Sequence, residues 1–420
     1  MAGPAVQASN LRDDAMAGEL GRLIERQQPG YALEQPFYCD PDIFRLEQEK
    51  VFLKHWLYVG HQSQIPNPGE YFVFEIAQES VIVVRGKDAE IHALVNVCRH
   101  RGSRVCKQSS GRVKLFVCPY HGWSYGLDGR LARAWAMPAD FDKASHGLHQ
   151  ISCEVFHGLI FINFAGEAGA FEEARKALDD ALAPFNLAKT KVAHSEVCRV
   201  EANWKLAVEN YDECYHCAPS HPEFALSHSI KLPEIKTAEL MRELAVQAAK
   251  AGLSVDPVGN LEERGRGLSI EFYYDRYALF EGYLTGSEDG QPLAPLLGSL
   301  TVWDRGASNL QLGQMSYLLI YSDHAVVYRF TPLALQETEV EIIWLVKETA
   351  VEGEDYDLER LTWLWHVTTD ADKDIIERNQ KGVNSRFYQP GPYSPMEPFC
   401  PEFVAWYLEK MRLGHGVPNG

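Results

Sequence analysis

The sequence predicts an α+β protein, in which a small all-β unit is followed by a second domain that combines helices with an antiparallel sheet. Three observations lead to this prediction. Short apolar runs separated by turn residues, among them 71–74, 81–84 and 91–97, fill the region from about residue 56 to residue 165. The apolar period then becomes helical and later returns to longer strands. A chain of 420 residues is also long enough for two domains.

The first element in chain order is an N-terminal arm, residues 1–55. Its polar helical pattern stops at Pro29-Gly30, and we expect the arm to pack on the second domain. The all-β unit follows over residues 56–165. It carries a hairpin turn at 127–129 and two further predicted strands, at 113–117 and 158–164.

The predicted second domain comprises residues 166–420. A helix is expected at 171–182, where the apolar residues first take the helical period. Three strands follow that are spaced as an antiparallel meander, at 315–321, 325–330 and 339–346. A long amphipathic helix is predicted from about residue 357 to residue 381.

Composition and charge exclude several classes of partner. Lys and Arg total 40 and Asp and Glu total 58, which gives a net charge of −18, so the surface repels a nucleic-acid backbone. No apolar run reaches the roughly 18 residues that a membrane span needs, and residues 1–30 lack the order of a signal peptide. We therefore expect a soluble, cytoplasmic protein with no nucleic-acid or membrane partner. Its nine cysteines do not suggest a disulfide framework, and some are expected to bind metal.

Two loops of the all-β unit each combine one Cys with one His. The first is Cys98-Arg99-His100 and the second is Cys118-Pro119-Tyr120-His121. Two thiolates and two imidazoles are the ligands of a Rieske [2Fe–2S] cluster, in which two Cys hold one iron and two His hold the other. A Cys2His2 zinc site uses the same donors, but zinc fingers normally pair Cys with Cys and His with His in sequence. The mixed loops therefore favour the iron–sulfur cluster.

A second group of candidate ligands lies between residues 203 and 221. We predict a helix that continues to about Cys217, because the residue before Pro219 is biased away from helical geometry. This helix would present Glu209, Glu213 and His216 on one face, with His221 folding back from a loop.

Two histidines and a distant carboxylate form the facial triad of non-haem Fe(II) enzymes, which leaves coordination positions open for O2 and water. The carboxylate is expected in the segment 368–377, where Asp370, Asp372 and Asp374 are candidates. Spacing alone does not choose among these three residues.

These motifs together resemble the Rieske non-haem iron oxygenases. Residues 98–102 and 118–123 match the two cluster loops of that family, and residues 203–221 match its N-W-K…E-N…Y-H…H block. The resemblance implies a helix-grip-like catalytic domain. It also implies that Cys98 and Cys118 hold one cluster iron, that His100 and His121 hold the other, and that a mononuclear Fe(II) is bound by His216 and His221.

The resemblance further implies a third iron ligand and a bridging residue. The family's ligand Asp lies five residues before a Glu that is followed three residues later by Gln, and this pattern selects Asp372. Ring-hydroxylating members place an Asp three residues before the first ligand His, where it bridges to the cluster of a neighbouring subunit. Glu213 stands there in this chain, while Asp212 competes for the role and Asn210 is a further candidate catalytic residue.

The C-terminal third is similar to the glycine betaine and stachydrine demethylase branch, for example at 379–383 and 390–394. That branch hydroxylates an N-methyl group of a small quaternary ammonium compound with O2 and releases formaldehyde. Aromatic faces suit such a cation, and we expect two or three of eight candidates to line the pocket. These are Phe272, Tyr273, Tyr274, Tyr277, Trp303, Tyr317, Tyr321 and Trp365.

Electrons must come from another protein, because the chain has no strand-embedded G-x-G-x-x-G for binding NADH. The resemblance implies a separate NADH-dependent flavin and iron–sulfur reductase and a cyclic homotrimer. Two alternative functions remain. One is an aromatic-ring hydroxylating dioxygenase alpha subunit, and the other is a Rieske electron carrier without a working mononuclear site.

Overall fold

The computed structural model describes residues 18–166, 169–228, 234–259 and 272–412, so the first 17 residues of the predicted arm lie outside the described residues. Gln48–Phe52 forms a π-helix. The α-helices of the described ranges are α1 (18–26), α2 (Pro36–Cys39), α3 (Pro41–Glu47), α4 (Gly169–Leu182), α5 (Trp204–Tyr211), α6 (Cys217–Ser220), α7 (Pro222–Ser227), α8 (Glu234–Ala251), α9 (Leu358–Val383) and α10 (Phe399–Arg412).

The strands of the first domain are β1 (Leu57–His61), β2 (Glu70–Ile76), β3 (Glu79–Arg85), β4 (Ile91–Val95), β5 (Ser110–Arg112), β6 (Phe116–Val117), β7 (Ser124–Tyr125), β8 (Leu131–Arg133), β9 (Gln150–Phe156) and β10 (Leu159–Asn163). The strands of the second domain are β11 (Thr190–Val200), β12 (Val258–Gly259), β13 (Phe272–Ala278), β14 (Gly306–Leu312), β15 (Ser316–Ile320), β16 (His324–Ala334) and β17 (Glu337–Lys347).

The first domain contains two sheets. The larger has the order β1-β10-β9-β4-β3-β2-β5, and the smaller has the order β6-β7-β8. The strand predicted at 113–117 was too long, because only Phe116 and Val117 belong to a strand there. The Val113 amide donates to the Gly69 carbonyl (2.9 Å), and the chain then leaves the larger sheet for the smaller one. The smaller sheet thereby carries the second of the two Cys-and-His loops.

The second domain is built on one antiparallel sheet with the order β11-β17-β16-β15-β14-β13-β12. Its neighbouring strands β15 to β17 are the predicted meander, and the predicted long helix corresponds to α9. Helices α5 and α9 pack against this sheet, with Tyr328 of β16 meeting Thr369 of α9 at 2.8 Å between hydroxyl oxygens. The fold prediction is therefore confirmed as α+β, with an antiparallel sheet in the second domain.

A buried ion pair joins the arm to the second domain. Glu47 of α3 accepts hydrogen bonds from Lys205 Nζ (2.5 Å) and Trp204 Nε1 (2.8 Å) of α5, and from the Tyr407 hydroxyl (2.5 Å) of α10. The side chains of Glu47 and Lys205 are both 0% exposed. Each charge is therefore stable in the interior only while the other is present, and the pair links α3 of the arm to α5.

Within these described ranges, no helix has the length and apolar character needed to cross a membrane.

Candidate iron sites

The two Cys-and-His loops have the same local geometry. The Gly102 amide donates to the Cys98 carbonyl (2.9 Å), and the Gly122 amide donates to the Cys118 carbonyl (3.1 Å). Both glycines have positive φ, +75° and +69°, which a residue with a side chain rarely adopts. Each loop can therefore turn back tightly towards its Cys just after its His.

The loops bring their four candidate ligands together at one end of the domain. Cys98 and Cys118 are buried, at 3% and 2% exposure, whereas His100 and His121 are exposed. The two imidazole centroids are 4.6 Å apart, and the His100 ring stacks on Trp123 at 4.8 Å. Paired thiols below and paired imidazoles at the surface fit a cluster whose inner iron is held by Cys and whose outer iron is held by His.

Tyr125 is a residue of this site that the sequence analysis missed. Its hydroxyl lies 3.2 Å from Cys98 Sγ and accepts a hydrogen bond from the Arg99 amide (3.1 Å). Hydrogen bonds to a cluster ligand tune the reduction potential of the cluster. Tyr125 lies outside both motifs on strand β7, and only the pairing of β6 with β7 brings it to the loop.

The predicted helix through residue 217 was wrong. Helix α5 ends at Tyr211, and His216 precedes the short helix α6, which contains Pro219. Glu213 causes the interruption, because its carboxylate Oε2 accepts hydrogen bonds from the amides of Tyr215 (2.5 Å) and His216 (3.1 Å). Glu209 and His216 therefore do not share a helical face, and Glu209 instead accepts a hydrogen bond from the buried Tyr38 hydroxyl (3.0 Å).

The turn and helix α9 place three donor atoms around one point. His216 Nε2 lies 3.1 Å from His221 Nε2 and 3.2 Å from Asp372 Oδ1, and His221 Nε2 lies 2.8 Å from Asp372 Oδ1. Ligands about 2.1 Å from a divalent metal, on one face of an octahedron, would be about 3.0 Å from one another. The spacing of these atoms thus fits a facial triad.

The electrostatics of this group also fit a bound cation. Burial opposes protonation of His216, but hydrogen bonds with Asp372 and Glu213 raise its pKa to about 10. Burial likewise disfavours the charged form of Asp372, yet His216 and His221 hold the pKa of Asp372 below its usual value. The site therefore carries excess negative charge that a divalent metal would neutralise in place of a proton.

The other two aspartates of α9 lie away from this group. Asp374 is exposed and accepts a hydrogen bond from Arg378 Nε (2.9 Å), and Asp370 is also exposed. Of the three residues that spacing left open, the structure brings Asp372 alone to the histidines.

The two bridging candidates, Glu213 and Asp212, and the further catalytic candidate Asn210 lie near His216. Glu213 Oε1 meets His216 Nδ1, the ring nitrogen that faces away from Asp372. Asn210 Nδ2 is 3.4 Å from His216 Nε2. Asp212 caps the C-terminal end of α5, and it lines the same cavity as Glu213. Of the two bridging candidates, Glu213 and Asp212, Glu213 is thus the one with a direct contact to a ligand imidazole.

A cavity of about 410 Å³ opens beside the three donor atoms. Four of the eight aromatic candidates line it, namely Tyr273, Tyr277, Tyr317 and Trp365, one more than the upper limit expected from the sequence. The sequence analysis missed four other aromatic residues of the wall: Tyr211, Phe224, Tyr328 and Phe399. Among the described lining residues there is no Lys or Arg. The wall is therefore aromatic and acidic.

One chain thus combines a Rieske-type cluster site with a two-His, one-carboxylate site, which is the arrangement of an iron-dependent oxygenase. Family models agree: residues 55–142 match the Rieske [2Fe-2S] domain, and residues 187–274 and 290–413 match the ring hydroxylating alpha subunit (catalytic domain). The chain belongs to the Rieske non-haem iron oxygenases, whose cofactors are a Rieske [2Fe–2S] cluster and a mononuclear iron.

A curated relative supports this family, and two solved structures share the fold. The chain is 38% identical to the glycine betaine monooxygenase oxygenase subunit of Chromohalobacter salexigens, over 98% of this chain and 94% of that protein. A crystal structure of the quaternary ammonium Rieske monooxygenase CntA matches with a TM-score of 0.69 and 21% identity, over 93% of this chain and 98% of that one. Naphthalene 1,2-dioxygenase from Rhodococcus sp. matches with a TM-score of 0.68 and 18% identity, over 96% and 99%. The fold is thus shared by enzymes with different substrates, and it does not select the substrate.

Proposed function

We propose that the protein is the oxygenase component of an N-demethylating Rieske monooxygenase. Its substrate would be a small quaternary ammonium compound of the glycine betaine or proline betaine type. The observation that carries this proposal is the aromatic and acidic cavity beside His216, His221 and Asp372, whose described wall has no Lys or Arg. A quaternary nitrogen cannot donate an N–H bond, so aromatic faces and negative charge are its natural partners. The similarity to a glycine betaine monooxygenase subunit points in the same direction.

The reaction inserts one oxygen atom of O2 into an N-methyl C–H bond and reduces the other to water with two electrons and two protons. The N-hydroxymethyl product then releases formaldehyde and the demethylated amine. When bound, the cluster supplies single electrons and the mononuclear iron activates O2.

The protein's own residues would perform distinct tasks in this reaction. Cys98, Cys118, His100 and His121 would hold the cluster, while His216, His221 and Asp372 would hold the mononuclear iron. Glu213 would orient the His216 ring through Nδ1 and would be the bridge to the cluster, with Asp212 as the competing residue. Asn210 would limit the movement of the His216 ring from its other side.

Two partners follow from this proposal. The exposed His100 and His121 make the cluster end accessible to other proteins, which suits electron entry from a separate NADH-dependent flavin and iron–sulfur reductase. The same exposed end would deliver electrons to the catalytic site of a neighbouring copy, in a cyclic homotrimer. Sedimentation of the iron-loaded protein would test the trimer, and a monomer would contradict it.

The reaction is tested by turnover with O2, NADH and a reductase against a panel of glycine betaine, proline betaine, carnitine, choline and aromatic acids. The proposal predicts formaldehyde and an amine that has lost one methyl group. A cis-diol or phenol from an aromatic acid would instead establish the ring-hydroxylating alternative. An iron content of about two per chain, without oxygenation, would establish the electron carrier.

A further inference from the structure

The register of two strands places a carboxylate in the wall of the cavity. Strands β13 and β14 are antiparallel neighbours, with Tyr273 opposite Gln311 and Asp275 opposite Asn309. Alternate residues of a strand share one face of the sheet, and these four residues all line the cavity. Tyr277 is the next residue on this face of β13 and also lines the cavity.

The negative charge of Asp275 is less well neutralised by the protein than the charges of Asp372 and Glu213, which both meet a histidine. Asp372 meets His216 and His221, and Glu213 meets His216. The phenol of Tyr273, two residues away on the same strand face, is the side chain that stabilises the Asp275 carboxylate, and it carries no positive charge. Within the described part of the chain, the buried oxygen Oδ1 of Asp275 has no hydrogen-bond partner.

Burial without a cationic partner has an electrostatic cost. It raises the pKa of Asp275 to about 6, so the group is still mostly ionised at neutral pH. A buried anion without a cation is unfavourable, and the described cavity wall supplies no Lys or Arg to neutralise it. A positively charged ligand bound beside Asp275 would therefore supply the counter-charge that the described cavity wall lacks.

The surroundings of Asp275 favour a cation that has no N–H group. Tyr273 and Tyr277 flank the carboxylate on its own strand face, and the Phe399 ring lies 5.7 Å from the Tyr273 ring. Aromatic faces and a carboxylate together attract a methylated ammonium group without requiring it to donate a hydrogen bond.

We propose that Asp275 is the anionic subsite for the quaternary nitrogen of the substrate, so that the cavity selects its substrate by positive charge and not by shape alone. This inference rests on the proposed N-demethylation. The methyl groups to be oxidised are bonded to the nitrogen that Asp275 attracts, so the same contact would orient them in the cavity. Asp275 is a specificity-determining residue in this account and not an iron ligand.

A charged and a neutral ligand of the same shape show whether the cavity recognises charge or shape. Glycine betaine carries a trimethylammonium group, and 3,3-dimethylbutyrate carries a neutral tert-butyl group in its place. Anaerobic titration calorimetry of the iron-loaded enzyme would measure the dissociation constant of each ligand. The variants are Asp275→Asn and, as the matched control, Asp374→Asn, which removes an equal charge at an exposed position paired with Arg378. The Rieske absorption spectrum and the iron content verify that each variant is intact.

The inference predicts that Asp275→Asn weakens glycine betaine binding by about tenfold or more. Binding of 3,3-dimethylbutyrate should stay equal or improve, and Asp374→Asn should change neither value. If Asp275→Asn weakened the binding of both ligands equally, or changed the binding of neither, the proposed role of Asp275 would be overturned. If Asp275→Asn weakens glycine betaine binding as predicted but the wild type releases no formaldehyde, the proposed reaction is overturned and the cation subsite is supported. Failure of the wild type to bind either glycine betaine or proline betaine would overturn both.

Discussion

The Glu213 carboxylate contacts His216 at two places, since one oxygen accepts from the His216 amide and the other meets ring nitrogen Nδ1. This arrangement ends helix α5 early and directs Nε2 of the same ring towards Asp372. One acidic side chain thereby sets both the backbone turn and the ring orientation at the candidate mononuclear site.

Glu213→Gln is expected to lower the turnover rate by roughly 10- to 100-fold, because partners of a metal ligand orient it and tune its basicity. The iron content and the Rieske spectrum should remain. If Glu213 is also the bridge, oxidation of the reduced cluster in a single turnover should slow to the same extent. Asp212→Asn is the control, and a larger effect from Asp212→Asn would assign the bridge to Asp212.

His221→Ala should remove the mononuclear iron while leaving the cluster in place. The iron content is expected to fall from about three to about two per chain, with an unchanged Rieske spectrum and no oxygenation. Asp372→Asn should behave in the same way, whereas Asp374→Asn should retain activity because Asp374 is exposed and bonded to Arg378. Loss of the Rieske spectrum in His221→Ala would contradict the assignment of two separate sites.

Replacement of Glu47 by Gln tests the buried ion pair between the arm and helix α5. The change leaves the Lys205 ammonium buried without a counter-charge, which is expected to lower the free energy of unfolding by about 3–5 kcal/mol. Chemical denaturation would measure the loss. Glu49→Gln in the same arm is the control, because Glu49 is exposed and pairs only at the surface with Arg45. An equal, small effect from both variants would show that the Glu47–Lys205 pair contributes little.

The pH dependence of substrate affinity follows from the pKa of Asp275. Burial raises that pKa to about 6, and the ionised carboxylate is the form that attracts a cation. The Michaelis constant for glycine betaine should therefore rise as the pH falls below about 6 and stay constant above about 7. Tyr273 and Tyr277 face Asp275 with pKa values raised by burial, and Asn309 opposite it is neutral, so these groups do not titrate in this range. In Asp275→Asn this pH dependence of the Michaelis constant should disappear. If it persists, another group is responsible for it.

The ligand motifs could be found in the sequence because each Cys-and-His loop is a local structure. Asp372 could be chosen only through the family resemblance, since its distance from His216 depends on how α9 crosses the sheet. The course of the chain from Glu209 to His216 could not be predicted correctly, because an acid that caps its own following amides interrupts the helix without a Gly or Pro signal. Tyr125 and Asp275 had no sequence signal, because strand pairing alone brings them to their sites.

The most direct test of the central claim is mass spectrometry of a reductase-coupled turnover of glycine betaine whose methyl groups are fully deuterated. The account predicts dideuterated formaldehyde and dimethylglycine in equal amounts, each matched by the NADH and O2 consumed in coupled turnover. Consumption of NADH and O2 without labelled formaldehyde, while aromatic acids are oxidised on the ring, would contradict N-demethylation and leave the two iron sites as assigned.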